Sequence, residues 1–320
     1  MSKSYDIFNG DADGLCALHQ LRLETPCAAE LVTGVKRDVS LLERVEAGAG
    51  DALTVLDISM KSNAPALARA LDAGARVRYF DHHASGEIPR HPLLEAHIDT
   101  SAETCTSLIV DRHLAGRYRA WAVVAAFGDN LVRSAVAAAQ PLGLDHTELA
   151  RLHELGECLN YNAYGETVDD LHYHPADLYR TLARYRDPRQ FIFDEPVFGV
   201  LKSAYAEDLY RAGEVRPQRE SERAALYVLP DAAWSRRVNG LLGNRLAQSN
   251  AKRAHAVLVA RPGGYMVSVR APVERPAGAG ALCSRFESGG GREGAGGINR
   301  LPESEFDRFV DAFEAAFSAA

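Results

Sequence analysis

Short apolar runs alternate with segments of helical period along the first 130 residues. SYDIFN (4–9), ALTVLDIS (52–59) and RVRYFDHH (76–83) predict strands. Between them, ALHQLRL (17–23), a stretch around LLERVEAG (41–48) and APALARALDAG (64–74) predict helices, the last closed by a glycine. A strand–helix–strand rhythm implies a parallel sheet covered on both faces, with ligands outside the carboxyl ends of its strands. From about 101 to 225 the pattern turns mostly helical, interrupted at Gly165, Pro175, Pro188 and Pro196; TSAE (100–103) has the form of a capping box. The stretch GEVRPQRESERA (213–224) is polar and charged, as linkers are. Beyond it, ALYVL (225–229) predicts a strand and VNGLLGNRLAQS (238–249) a helix. HAVLVARPGGYMVSVRAP (255–272) predicts a hairpin and SEFDRFVDAFEAAF (304–317) a closing amphipathic helix. The expected architecture is α/β. It has an N-terminal parallel-sheet domain over 1–190, a connector over 191–224 and a smaller C-terminal α/β domain over 225–320.

Composition narrows the function. A net charge of −7 over 320 residues argues against sequence-independent binding of long nucleic acid, which needs a basic surface. No apolar run reaches the length of a membrane span, and the start MSKSYDIFNGDADG has no signal-peptide pattern, so the expected location is the cytoplasm. The five cysteines (16, 27, 105, 158 and 283) lack metal spacing and read as reduced, structural thiols. Monomer and homodimer both stay open.

Acidic and histidine residues gather at the predicted strand ends: Asn9, Asp11 and Asp13 after the first strand, Asp57 after the second, and Asp81, His82 and His83 after the third. Asp129 follows in FGDN. Taken singly, each has a plain structural reading. An aspartate at a turn is a cap or an Asx-turn, Asp57 is the N-cap of the next helix, and a histidine pair is surface. Together, carboxylate oxygens and imidazoles suit a hard divalent ion such as Mn²⁺ or Mg²⁺. His19 reads as packed on its helix, and His172 and His174 as surface or lid residues. Thr104 and Thr106 read equally as substrate donors and as packing. In GGGREGAGG (289–297), six of nine residues are glycine, read as a loop whose backbone N–H groups cradle a phosphate or terminal base.

FNGDADG, LDIS, FDHH and FGDN, in this order, resemble the four motifs of the DHH phosphoesterase superfamily, in the D-x-D-G form of RecJ-type exonucleases and related oligoribonucleases. VSVRAP (267–272) and GGGREGAGG resemble the substrate strand and glycine loop of the DHH-associated domain, and GECLNYNAYGE (156–166) resembles a RecJ-like segment. The resemblance implies a dinuclear, usually manganese, site between the two domains. Asp11 holds the first ion, with Asn9 beside it; Asp13, His82 and Asp129 hold the second; Asp57 bridges them. It further implies that His83 serves the scissile phosphate or leaving group, that Asp81 orients the histidines, and that Arg270, Gly290, Gly291 and Arg292 bind substrate. Two positions depart from the pattern. Asn9 stands where RecJ-like members carry aspartate (other relatives use a histidine at the position of Ile7), and Arg292 replaces the loop histidine. The amide implies a weaker hold on the first ion, and the arginine a fork for phosphate.

The resulting expectation is a metal-dependent phosphoesterase acting on short nucleotides: nanoRNA, a cyclic dinucleotide or 3′-phosphoadenosine 5′-phosphate. Its rivals are a RecJ-like single-strand exonuclease and a degenerate metal- and nucleotide-binding sensor.

Overall fold

The computed structural model describes residues 2–318, which divide into two compact units at Ser203/Ala204. In the first, β1 (Ser4–Phe8) leads into α1 (Ala12–Glu24) and the edge strand β2 (Glu30–Val32). Then come β3 (Ala52–Leu56), α2 (Met60–Asp72), β4 (Arg76–Asp81) and a second edge strand, β5 (Leu94–Ile98). All pairings in this sheet are parallel, in the order β2-β1-β3-β4-β5. The two edge strands fall outside the sequence expectation. β2 is three residues long and β5, LEAHI, has no continuous apolar run, so pairing rather than pattern makes them strands. The helix expected around 41–48 is only a 3₁₀ turn, Leu41–Arg44.

Register explains why the sheet ends in a row of polar groups. Ile7, Val55 and Tyr79 sit opposite one another, as do Phe8, Leu56 and Phe80 in the next row. The first row packs with α2 and Leu41–Leu42 on one face. The second packs on the other face with α1 and with α3 (Thr106–His113), α4 (Arg119–Gly128), α5 (Val132–Ala139) and α6 (His146–Asn162). One residue further, the row is Asn9, Asp57 and Asp81. The ladder carries into it: Asn9 N–H donates to Leu56 O and Asp57 N–H to Phe80 O. The helical stretch continues through α7 (Pro175–Leu182), α8 (Pro188–Asp194) and α9 (Pro196–Glu214), each opening on its proline, whose missing N–H costs nothing at that position. The predicted capping box at 100–103 is not one. α3 begins at Thr106, and its N-terminal amides are taken by a residue of another element, Asp13.

The second unit holds a mixed sheet in the order β10-β11-β9-β8-β7-β6, built from β6 (Arg219–Glu220), β7 (Ala224–Leu229) and, after α10 (Ala233–Ser249), β8 (Ala254–Arg261) and β9 (Gly264–Arg270). α11 (Ala279–Cys283), β10 (Gly289–Arg292), β11 (Ala295–Pro302) and α12 (Phe306–Ser318) complete it. The polar stretch at 213–224, read as a linker, contains the end of α9 and the edge strand β6. The glycine-rich segment is a hairpin rather than a loop. Gly291 has φ +149°, and a Cβ there would lie 2.4 Å from Ala295 O, so the two strands approach closely because side chains are absent. Among the described residues no helix is long and apolar enough to cross a membrane.

Candidate metal centre

Asp11 caps α1: its Oδ1 accepts from the backbone N–H groups of Asp13 and Gly14, at 3.0 and 3.1 Å. The glycine of D-x-D-G is needed for closeness, because a Cβ on Gly14 would lie 2.1 Å from Asn9 O. Asp13, fully buried in the first turn of α1, points both oxygens at the start of α3, where Thr106 N–H and Ser107 N–H each donate at 2.7 Å. Asp57 caps nothing, since Ser59 is the N-cap of α2. It sits at φ +59°, a left-handed conformation strained for a non-glycine residue, and Thr106 Oγ1 donates to its Oδ1 at 3.1 Å. Thr106 therefore positions two of the carboxylates at once, a role its sequence context left undecided.

Around His82 the expected ligands of the second ion come together. Its Nε2 lies 3.4 Å from Asp57 Oδ1, 3.5 Å from Asp129 Oδ2 and 4.0 Å from Asp13 Oδ2. Such spacings suit donors gathered about one ion at roughly 2.2 Å each. His83 stands beside them, half exposed, its Nδ1 donating to Asp81 Oδ1 at 2.8 Å. That hydrogen bond, against the pull of burial, raises the His83 pKa above the ordinary 6.5.

Two observations show that the residues fit a divalent cation. Burial, together with Asp13, Asp11, Asp129 and Asp81, pushes the Asp57 carboxyl well above the carboxylate range; burial likewise lifts Asp129 to about 6 despite Lys36 nearby. Asp81 Oδ2 is buried with no hydrogen-bond partner. Both are the marks of a concentration of negative charge that a cation would relieve. Cys16 and Cys105 are neighbours, but burial pushes their thiols well up, so the donors offered are hard oxygens and imidazole nitrogens.

The residues expected around the first ion converge on a side chain that carries no motif. Lys36, in the loop after β2, donates from Nζ to Asp11 Oδ2 at 2.5 Å, Asn160 Oδ1 at 3.0 Å and Asp129 Oδ1 at 3.3 Å. Burial opposes its charge, yet Asp11 and Asp129 outweigh that and hold the ammonium well above its usual pKa; in return Lys36 keeps Asp11 low. Asn9 is drawn into the same arrangement. Its Oδ1 accepts from Asp11 N–H at 3.2 Å, and its Nδ2 donates to Lys36 O at 3.1 Å. Nothing in the chain around TGVKRD marks Lys36; Asn160 had a signal, being in the quoted segment GECLNYNAYGE.

In the second unit, register sets Arg270 opposite Ala295, and Ala295 opposite Arg292, so both arginines share one face two strands apart. Gly290 lies on that face with open space where a Cβ would be. Arg270 is held by Asn244 Oδ1 at 2.7 Å and Ser268 Oγ at 2.9 Å. Gly291 serves the hairpin's close approach. Three histidines singled out in the sequence lie in structural contacts. His19 is buried edge-on to Trp121 and donates from Nε2 to Tyr185 O at 2.7 Å; His172 bonds the Tyr161 hydroxyl at 2.8 Å; His174 caps α7.

No family model and no curated protein matches the chain. Solved structures do. Exonuclease RecJ bound to manganese superposes with a TM-score of 0.61 at 18% identity, over 98% of this chain and 89% of that one. The fold is shared with RecJ. RecJ in complex with Mn²⁺ from Thermus thermophilus gives 0.59 at 16% identity, this chain spanning 51% of its length. The pGpG-specific phosphodiesterase PggH from Vibrio cholerae gives 0.57 at 15% identity, over 98% of this chain and 97% of that one. In this chain the carboxyl ends of the parallel sheet carry Asp11, Asp57 and Asp81.

Proposed function

We propose that this protein is a DHH-type, metal-dependent phosphoesterase acting on short nucleotides. The observation that carries the reading is the meeting of Asp13, Asp57 and Asp129 around His82 Nε2, at 3.4–4.0 Å, where the parallel strands end. Asp13, Asp57, His82 and Asp129 would hold a divalent ion, Mn²⁺ or Mg²⁺. Such an ion, when bound, lowers the pKa of water and offsets charge on phosphoryl oxygens. The chain does the rest. The α3 amides and Thr106 fix the carboxylates without consuming all their lone pairs. Asp81 fixes His83 in the Nδ1–H form and favours its protonated state, so Nε2–H is available to the departing alkoxide as water displaces it from phosphorus. Within the second unit, Arg270 and Arg292 would bind a phosphate or base, with Gly290 leaving room beside them.

Support for a short substrate comes from the net charge of −7, which opposes tight binding of a long polyanion. The similarity to a pGpG phosphodiesterase over nearly all of both chains agrees with it. The test is hydrolysis, in Mn²⁺, of a linear dinucleotide, a cyclic dinucleotide, 3′-phosphoadenosine 5′-phosphate and a long single strand, with Asp57→Asn alongside. Turnover of a short substrate, lost in the variant, is expected. Preference for the long strand would make the protein a RecJ-like exonuclease. Tight binding without turnover would make it a sensor.

A further inference from the structure

We propose that the Lys36 ammonium takes the place of one of two ions, so that this centre binds a single divalent ion per chain. The inference rests on the metal-dependent reading above and says what its second cationic position contains.

An ammonium has three protons to donate, and Lys36 meets three acceptors: Asp11 Oδ2, Asn160 Oδ1 and Asp129 Oδ1, at 2.5, 3.0 and 3.3 Å. The three come from different elements, α1's cap, α6 and the end of α4, so the position is a gathered pocket and not a chance surface pair. Asp129 spans the arrangement, giving Oδ1 to Lys36 and Oδ2 to the group around His82. That is the placement of a carboxylate shared between two adjacent cations, one of which here is covalently part of the chain.

The lysine is also held from behind. Its backbone N–H donates to Ala163 O at 2.9 Å and its carbonyl accepts from Asn9 Nδ2 at 3.1 Å. An aspartate at position 9 would set a carboxylate against that carbonyl. The amide at position 9 thus holds the backbone of the lysine segment, whose side chain reaches the carboxylates. Replacing a divalent ion by an ammonium leaves Asp11 and Asp129 paired with one positive charge instead of two, and commits its donors to the protein. Lys36 is thus a positioning residue for the carboxylates.

Metal stoichiometry decides the matter independently of turnover. Metal-free full-length protein would be dialysed against Mn²⁺ and its bound manganese counted. The electron paramagnetic resonance spectrum would then distinguish an isolated ion from a coupled pair about 3.5–4 Å apart. One isolated Mn²⁺ per chain is expected for wild type and for Lys36→Arg, and two coupled ions for Lys36→Met. Two ions in wild type overturn the proposal while leaving the metal-dependent reading intact. One ion in both wild type and Lys36→Met overturns it too, since the lysine would then not be what excludes the second. No manganese in any of them defeats the reading itself, and the proposal with it. If Lys36→Met does not fold, Lys36→Ala takes its place in the same count, with the same two outcomes.

Discussion

Gly156→Ala tests how the centre is assembled, because the geometry around Asp129 depends on how closely two helices cross. α4 and α6 meet at Gly128 and Gly156. A Cβ on Gly156 would lie 2.3 Å from Val124 O and 2.8 Å from Gly128 N, both backbone atoms that cannot rotate away. Carbon–oxygen contacts settle near 3.3 Å, so the helices must part by about 1 Å. Overpacking of this kind costs about 1–3 kcal/mol, partly offset by up to about 1 kcal/mol because alanine is the better helix residue. Net destabilisation of roughly 1–2 kcal/mol is expected. The same displacement moves Asp129, which caps α4 just after Gly128, away from Asn160, one turn beyond Gly156, so manganese affinity falls as well. Trp121 is fully buried in this unit, and in a Trp234→Phe background it alone reports urea unfolding by fluorescence. Gly199→Ala is the control. It lies in α9, in the same unit, with nothing within 4 Å of its added Cβ, and should gain up to about 1 kcal/mol. If Gly156→Ala unfolds at or above the wild-type urea midpoint, like the control, close helix crossing is not what sets this site.

Four further outcomes are expected. Manganese at one hundred times its dissociation constant should stabilise the protein by about 2.7 kcal/mol, reversed by chelator and absent in Asp57→Asn; thermal melts check this. NMR titration of metal-free protein should place His83 above 6.5, and Asp81→Asn should lower it, since burial is then opposed only by the more distant charges of Asp11 and Asp13. Because His83 is favoured in its protonated form, activity should fall as pH rises through its raised pKa, and that limb should move to lower pH in Asp81→Asn. His19 behaves oppositely: burial lowers its pKa to about 4, so the unfolded chain binds the extra proton between 6.5 and 4. Stability should therefore be lost as pH falls through that window, by on the order of 3 kcal/mol, and His19→Gln should flatten the dependence seen in denaturant titrations.

What could be read in the chain was whatever repeats with a local period or sits at a fixed offset from it. The strand cores Ile7–Phe8, Val55–Leu56 and Tyr79–Phe80 announce themselves by apolar runs, and Asp11, Asp57 and Asp81 follow at the ends where a parallel sheet presents ligand-binding groups. The hairpin of β8 and β9 is equally local, its turn at Pro262-Gly263 marked by composition.

Long-range pairing decided the remainder. TSAE had the letters of a capping box, but α3 starts at Thr106 because Asp13, 93 residues earlier, takes its amides with a buried charge. The glycines of 289–297 had the composition of a loop, but pairing of β10 with β11 made them a hairpin whose register aligns Arg292 with Arg270. Sequence by itself determined the order of elements and the acidic ends of the first sheet, since hydrophobic period and turn chemistry act between near neighbours. Only the tertiary structure decided which cation those acids meet. Lys36 is anonymous in a loop until Asp11, Asp129 and Asn160, up to 124 residues away, are folded around its ammonium and their combined field holds it there.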